Sequence, residues 1–163
     1  MHDYYLLLGA NLGERYQSLT FARAKLAHTV GEIIRVSSIY ATAAWGTNSK
    51  NEYLNQAIWI RSPKSPLEML DQILAIELEA GRVRTERWAD RTLDIDVLAC
   101  EAICMKTKKL TLPHPELHNR RFALVPLAEI APEWRHPIFH STTLEMLYTC
   151  EDKLEVTRVD LPL

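Results

Sequence analysis

The sequence predicts an α+β fold: a ferredoxin-like split βαβ arrangement in which two helices pack on one face of an antiparallel sheet. Stretches typical of strands and helices follow each other in the order strand, helix, strand, strand, helix, strand. With 163 residues, 47% of them hydrophobic and 25% charged, the chain has the size and balance of one globular domain. It contains no repeat, low-complexity segment or linker, so we expect residues 1–163 to form a single domain.

Residues 1–61 supply the first half of this pattern. The apolar run 4–8 predicts a central strand that ends at Gly9, and residues 9–13 predict a loop without the Gly-Lys-Ser/Thr ending of a P-loop. The β-branched residues of 33–40 predict a second strand, and the alternation in 53–61 predicts a third. Helical spacing between the first two strands is shown by Leu12, Tyr16, Leu19, Ala22 and Leu26.

The second helix is predicted by a capping box at Ser65 and Glu68, with Pro66 at the first helical position. Gly81 lies where a helix end favours a left-handed residue. The apolar stripe expected to face the sheet consists of Leu67, Leu70, Leu74 and Leu78. Further along, the pattern predicts a short strand at 110–112, a helix over 120–130 interrupted by Pro126, a helix capped at 142–145 and a tail without pattern.

The fourth strand carries two carboxylates, Asp94 and Asp96. Because successive side chains on a strand alternate, both point the same way, about 7 Å apart at the backbone. Leu93, Ile95, Val97 and Ala99 take the opposite, buried face. Two carboxylates this close repel each other unless a positive charge lies between them, and a pair of Mg²⁺ ions would supply it. We expect the pair on the open face of the sheet, with Tyr53 and Asn55 coming from another strand.

Four arginines lie within the ten residues 82–91, directly before this strand. Guanidinium groups bind phosphate oxygens, so the segment could hold a polyphosphate against the metal ions. The combination predicts metal-assisted transfer from a nucleoside triphosphate. An isolated Asp-x-Asp, by contrast, is often only the polar outer face of a strand.

Composition excludes several classes of function. A formal charge of −2 argues against a general nucleic-acid binder, which needs a basic surface. Three cysteines without zinc spacing indicate reduced thiols. The sequence shows neither a signal-peptide pattern nor an apolar run of membrane-spanning length. We therefore expect a soluble, cytoplasmic protein that binds small molecules, without a nucleic-acid or membrane partner.

Along nearly its whole length, the chain resembles the 6-hydroxymethyl-7,8-dihydropterin pyrophosphokinases, enzymes of folate biosynthesis. The resemblance rests on the order and spacing of several short motifs, since each alone is weak. The matching segments are 8–13, 37–42, 53–57, 76–77, 81–96, 112–115, 119–124 and 126–132.

The resemblance implies transfer of the terminal pyrophosphoryl group of ATP, in one piece, to the hydroxymethyl group of the reduced pterin, giving AMP and the pterin diphosphate. It implies that Asp94 and Asp96 bind two Mg²⁺ ions, and that Arg82 and Arg91 close over the triphosphate and exclude water. His114 and Arg120 match ATP-contacting positions, with Glu77 and Lys109 nearby.

The resemblance also implies a pterin pocket, since a flat heterocycle needs aromatic faces and an amide partner. The matching positions are Thr42, Tyr53, Asn55, Trp88 and Phe122. The chain departs from the family where Ala43-Ala44 replaces two prolines, and Trp45 could cover the ring there instead. It departs again at Asp90, beside Arg91, where we expect weaker loop closure that Asp90→Pro should improve.

Two other classes of function share parts of this pattern. A metal-dependent nucleotidyltransferase or phosphohydrolase would use the same aspartates with another acceptor, but would not need the pterin positions. An RNA-binding sheet would expose aromatic side chains, but its aspartates would repel phosphates. The resemblance further suggests a monomer, and the general base could be Asp96 or unnecessary if a metal lowers the hydroxyl pKa.

Overall fold

The structure, a computed structural model, describes residues 1–11, 13–42, 52–81 and 93–160. Its strands and helices follow the predicted order, and the strand predicted at 110–112 and the helices predicted over 120–130 and from 142 are also present. The strands are β1 (His2–Ala10), β2 (Glu32–Val36), β3 (Ile39–Thr42), β4 (Tyr53–Ser62), β5 (Asp94–Cys100), β6 (Met105–Lys106), β7 (Thr111–Leu112) and β8 (Thr157–Val159). The helices are α1 (Arg15–Thr29), α2 (Pro66–Glu79), α3 (Arg121–Ile130) and α4 (Thr143–Thr149), and a 3-10 turn spans Leu117–Asn119.

The strands β5, β1, β4, β3 and β8 lie in that order in one sheet, and β2 also pairs with β4. All of these pairings are antiparallel. The short strands β6 and β7 form a separate hairpin. The helix α1 leads from β1 to β2, which pairs with β4, and α2 leads from β4 to β5, which pairs with β1. This connectivity confirms the predicted ferredoxin-like α+β fold.

Alternating side chains of β1 divide the core between the two faces of the sheet. Tyr4, Leu6 and Leu8 belong to the cluster that contains the buried side chains of α1 and α2. Tyr5 and Leu7 belong to a second cluster, with buried side chains of α3 and α4. The expectation that this second face would be left free is therefore wrong over the part that α3 and α4 cover.

The capping boxes predicted at the starts of α2 and α4 are both present. The face of α2 that packs on the sheet differs from the predicted leucine stripe. Leu67, Leu74 and Leu78 are exposed, whereas the buried side chains are Met69, Ile73, Ile76 and Glu77. Because α2 is apolar on two adjoining faces, periodicity alone did not indicate which one the sheet would cover.

The predicted second strand is two strands, separated at Ser37 and Ser38. The Ser37 hydroxyl accepts the Ala57 N–H at 2.9 Å, and the Ser37 N–H donates to the Ala57 carbonyl at 2.9 Å. The chain therefore stays attached to β4 through this break. The patternless tail also contains a strand, because β8 pairs with β3.

On β5 the predicted buried face ends at Val97. The register with β1 shifts there, since Leu6 pairs with Val97 and Tyr5 with Ala99, which leaves Leu98 as an extra residue. Such a bulge reverses the alternation, and Ala99 consequently lies in the second core cluster. The described helices include none with the length and apolar character needed to cross a membrane.

Candidate active site

A row of residues across three strands forms the floor of the predicted site. Asp94 on β5 pairs with Gly9 on β1, and Gly9 pairs on its other side with Asn55 on β4. Asp96 lies two residues along β5, opposite Leu7. The predicted placement of both carboxylates on one face is confirmed by this register, because the strands alternate regularly up to the bulge.

Arg120 brings a positive charge to the aspartates from outside the sheet. It directly precedes α3, and its Nη1 lies 3.9 Å from Oδ2 of Asp96. The Arg120 side chain is 16% exposed and that of Asp96 32%, so both remain accessible to a ligand. An arginine beside a partly exposed carboxylate can hold phosphate oxygens while the carboxylate binds a cation.

His114 follows β7 and is held by its own turn. The backbone N–H of His114 donates to the Leu98 carbonyl at 2.8 Å, and the ring Nδ1 accepts the backbone N–H of Glu116 at 3.1 Å. Burial, aided by the positive charge of Arg120, lowers the pKa of His114 to about 4, although Glu116 and Asp94 oppose the shift. The ring is therefore neutral at pH 7, with its proton on Nε2, where it can donate to a phosphate oxygen.

Glu77 and Lys109, both expected near the nucleotide, lie in different surroundings. The Glu77 side chain is buried, and its Oε2 accepts the N–H of Ile95 at 2.8 Å. Lys109 is exposed in the turn between β6 and β7, where its backbone N–H donates to Thr107 Oγ1. Glu77 thus contacts the aspartate-bearing strand, and Lys109 is accessible from solvent.

Thr42, Tyr53 and Asn55 come together across two paired strands. Thr42 pairs with Tyr53, and the Asn55 Nδ2 donates to Thr42 Oγ1 at 3.3 Å. Asn55 and Thr42 are both buried, whereas Tyr53 is half-buried. An amide oriented in this way offers a donor and an acceptor to the edge of a heterocycle.

Phe122 lies in the first turn of α3 and packs against the second core cluster. The guanidinium carbon of Arg120 is 5.7 Å from the centre of its ring, a distance at which cation–π attraction operates. The start of α3 thus places one predicted pterin residue beside one predicted nucleotide residue.

A family model described as 7,8-dihydro-6-hydroxymethylpterin-pyrophosphokinase matches residues 5–132. The chain belongs to this family. It is similar to the 2-amino-4-hydroxy-6-hydroxymethyldihydropteridine pyrophosphokinase of Synechocystis sp., with 40% identity over 147 residues, 90% of this chain and 75% of the relative. The Aquifex aeolicus relative of the same name is 36% identical over 145 residues, 89% of this chain and 90% of the relative.

Solved structures support the fold independently. Wild-type Plasmodium falciparum HPPK-DHPS has a TM-score of 0.74 with 16% identity, covering 90% of this chain and 44% of that chain. The present chain therefore spans less than half of that solved protein. Family membership confirms the predicted resemblance and makes the chain a pyrophosphokinase, a transferase of folate biosynthesis.

Four predicted site residues of this pyrophosphokinase lie outside the described residues: Trp45, Arg82, Trp88 and Arg91. The departures from the family at Ala43-Ala44 and Asp90 lie there too. The roles given to these side chains stay predictions.

Sequence reasoning missed Gly9 as part of the site. A β-carbon on Gly9 would lie 3.0 Å from Asn55 Oδ1 and 3.9 Å from the Tyr53 ring. The available signal was a glycine that interrupts an apolar strand, which often marks close approach of a neighbour or a ligand.

Glu129 of α3 was also missed, since nothing in its local sequence indicates a partner. Its carboxylate accepts the Ser38 N–H at 2.8 Å and the Tyr40 hydroxyl at 2.5 Å. Burial, together with this hydrogen bond, raises the pKa of Tyr40 to about 12. The contact fastens α3 to β3, the strand that carries Thr42.

Proposed function

We propose that the protein transfers the terminal pyrophosphoryl group of ATP to 6-hydroxymethyl-7,8-dihydropterin and releases AMP and the pterin diphosphate. The observation that carries this proposal is the row formed by Asp94, Gly9 and Asn55. It sets a carboxylate pair suited to a metal-bound triphosphate beside an amide suited to a pterin. Family membership supports the same reaction.

The chemistry of the donor set fits magnesium. Asp94 and Asp96 are partly exposed carboxylates on one face, and Mg²⁺ prefers one or two carboxylates plus phosphate and water oxygens. Within the described parts of the chain, no group of three or more histidine, cysteine or acidic side chains could hold a metal ion, so phosphate and water oxygens would have to supply the other ligands. Two Mg²⁺ ions held by Asp94 and Asp96 would neutralise triphosphate charge and polarise the β-phosphorus.

The chain's own groups would then orient the nucleotide. Arg120 Nη1, 3.9 Å from Asp96, can share the outer oxygens of the triphosphate. Neutral His114 can donate from Nε2 without adding a charge. Arg82 and Arg91 are proposed to close over the same oxygens and to exclude water, which would otherwise accept the group.

Asn55 would hold the pterin by its hydrogen-bonding edge, with Phe122 on one ring face and Trp88 on the other. Tyr53 and Thr42 would complete the pocket, and Trp45 would cover it. In the reaction, the pterin hydroxyl oxygen bonds to the β-phosphorus while the bond from that phosphorus to the α,β-bridging oxygen breaks. AMP leaves with the bridging oxygen, and the hydroxyl proton passes to Asp96 or to solvent.

Product analysis with ATP, Mg²⁺ and 6-hydroxymethyl-7,8-dihydropterin tests this function. We expect AMP and pterin diphosphate in equal amounts, both abolished by Asp96→Ala. Asp71→Ala, which removes an exposed carboxylate from α2, is the matched control and should retain activity. ADP as the product would show phosphoryl transfer instead, and pterin-independent turnover would favour a nucleotidyltransferase or phosphohydrolase.

A further inference from the structure

Glu77 is a buried carboxylate whose side chain reaches the strand of the two aspartates. It is 3% exposed, and its Oε2 accepts the N–H of Ile95 at 2.8 Å. Ile95 stands between Asp94 and Asp96 in the sequence. Because a buried carboxylate needs strong hydrogen-bond partners, the contact is a specific feature of this region.

The position of β5 explains why such a partner is needed. Among the strands that the structure describes, β5 is the last one in the sheet order, and its partner there is β1. An edge strand leaves alternate backbone N–H groups outside the ladder, and a buried N–H requires an acceptor. Glu77 supplies that acceptor at Ile95, whose neighbours on both sides carry the carboxylates of the site.

The same contact joins two elements that are separated by the arginine-rich residues 82–92. Glu77 belongs to α2, which ends at Glu79, and Ile95 belongs to β5, which begins at Asp94. The hydrogen bond therefore holds together the helix before this segment and the strand after it.

We infer that Glu77 is a positioning residue: it holds the backbone of β5 so that Asp94 and Asp96 bind divalent cations, and it acts through the Ile95 N–H rather than by contacting the nucleotide. The inference rests on the proposed function, since it assumes that the aspartates bind the cations. Its consequence is that cation binding depends on whether the side chain of residue 77 is long enough to reach the Ile95 N–H.

Two variants separate reach from charge. Glu77→Gln keeps the length and an acceptor oxygen but loses the charge, whereas Glu77→Asp keeps the charge and withdraws it by one methylene. Binding of Mn²⁺ in the presence of α,β-methylene-ATP, followed by electron paramagnetic resonance, reports on the aspartates. Hydrogen exchange of the Ile95 amide, followed by NMR, reports on the contact itself.

We expect Glu77→Asp to weaken Mn²⁺ binding about tenfold, the effect typical of residues that orient metal ligands. The same variant should accelerate exchange at Ile95. The Mn²⁺ affinity of Glu77→Gln should stay within about twofold of the parent, because the variant keeps the acceptor oxygen and so avoids the loss that follows removal of an orienting residue. The matched control is Glu79→Asp on the same helix, where the carboxylate pairs with Lys25 and is 56% exposed; it should change neither quantity.

Weak Mn²⁺ binding in Glu77→Gln with a protected Ile95 amide would overturn the inference, because charge would then be what matters. Unchanged Ile95 exchange in a folded Glu77→Asp protein would also overturn it. If Glu77→Asp does not fold, Glu77→Gln is decisive by itself. Retained Mn²⁺ binding with a protected Ile95 amide supports the inference, and weakened binding with a protected amide overturns it. Failure of the proposed function would appear differently, as Mn²⁺ binding in the parent protein that Asp96→Asn leaves unchanged.

Discussion

The guanidinium of Arg120 lies 3.9 Å from the carboxylate of Asp96, although the two residues belong to different layers of the fold. Asp96 is on the sheet, and Arg120 is at the start of a helix that packs on one of its faces. The pair brings an anion-binding group to a cation-binding group, which is the combination that a metal-bound triphosphate requires.

Arg120→Met is expected to lower kcat/KM for ATP by about 10²–10³-fold, because it removes a preorganised positive charge from the reacting phosphates. Steady-state kinetics with ATP varied at saturating pterin measure the loss. Arg135→Met, which removes an arginine that is 60% exposed and pairs with Glu145, is the control. A similar decrease in both variants would indicate a general effect of lost charge.

The lowered pKa of His114 predicts a pH dependence of stability. An unfolded histidine gains its proton near pH 6.5, whereas folded His114 gains it near pH 4. Between these values the unfolded state binds more protons, so the free energy of unfolding falls as the pH drops from about 6.5 to about 4. In His114→Asn, the free energy of unfolding should fall by about 1–3 kcal/mol less over this pH range, because a shift of one pKa unit corresponds to about 1.4 kcal/mol.

Chemical denaturation between pH 4 and pH 7 measures this difference, with His28→Asn, on the exposed side of α1, as the control. Burial also lowers the pKa of His136, whose contribution has the same sign, so the variants must be compared with the parent at each pH. Parallel curves for the parent and His114→Asn would contradict the prediction.

Gly9→Ala is expected to weaken pterin binding through Asn55. The added β-carbon would lie 3.0 Å from Asn55 Oδ1, and the buried amide cannot move without disturbing its bond to Thr42. We expect the pterin KM to rise about tenfold, at the lower end of the scale for a change of one methylene in a binding pocket. The affinity for ATP should not change.

A double-mutant cycle tests this mechanism, since neighbouring residues that act together are not additive. In an Asn55→Ala background, Gly9→Ala should have little further effect on the pterin KM. Full additivity would show that Gly9 affects the pterin independently of Asn55.

Glu129→Ala should destabilise the protein by about 1–2 kcal/mol, because it leaves the Ser38 N–H and the Tyr40 hydroxyl without their charged acceptor. The pKa of Tyr40 should also fall from about 12 towards 10, which ultraviolet titration follows. Glu133→Ala, an exposed neighbour just beyond α3, is the matched control. Unchanged unfolding and titration curves would show that the contact does not fasten α3 to β3.

Much of the architecture could be predicted because it depends on local patterns. The alternation along 53–61 predicts that Leu54 and Ala57 lie on opposite faces of β4, and the two side chains belong to different core clusters. The same rule placed Asp94 and Asp96 together. Both predictions need only a strand and its period of two.

Other features depend on which surfaces meet, and periodicity does not determine that. α2 presents two adjoining apolar faces, and packing on the sheet chose Met69 and Ile73 over the leucines. The bulge at Leu98 arises from the register against β1 and moves Ala99 to the other face. Neither the choice of face nor the register shift has a local signature.

By itself, the sequence determined the order of elements, the common face of the aspartates and the family, because each depends on residue types at fixed spacing along the chain. Only the tertiary structure decided that Arg120 meets Asp96, that Glu77 meets the Ile95 amide and that Gly9 leaves room beside Asn55. These contacts join residues 18 to 46 positions apart. Such pairs form only when packing brings separate elements together, which no local propensity encodes.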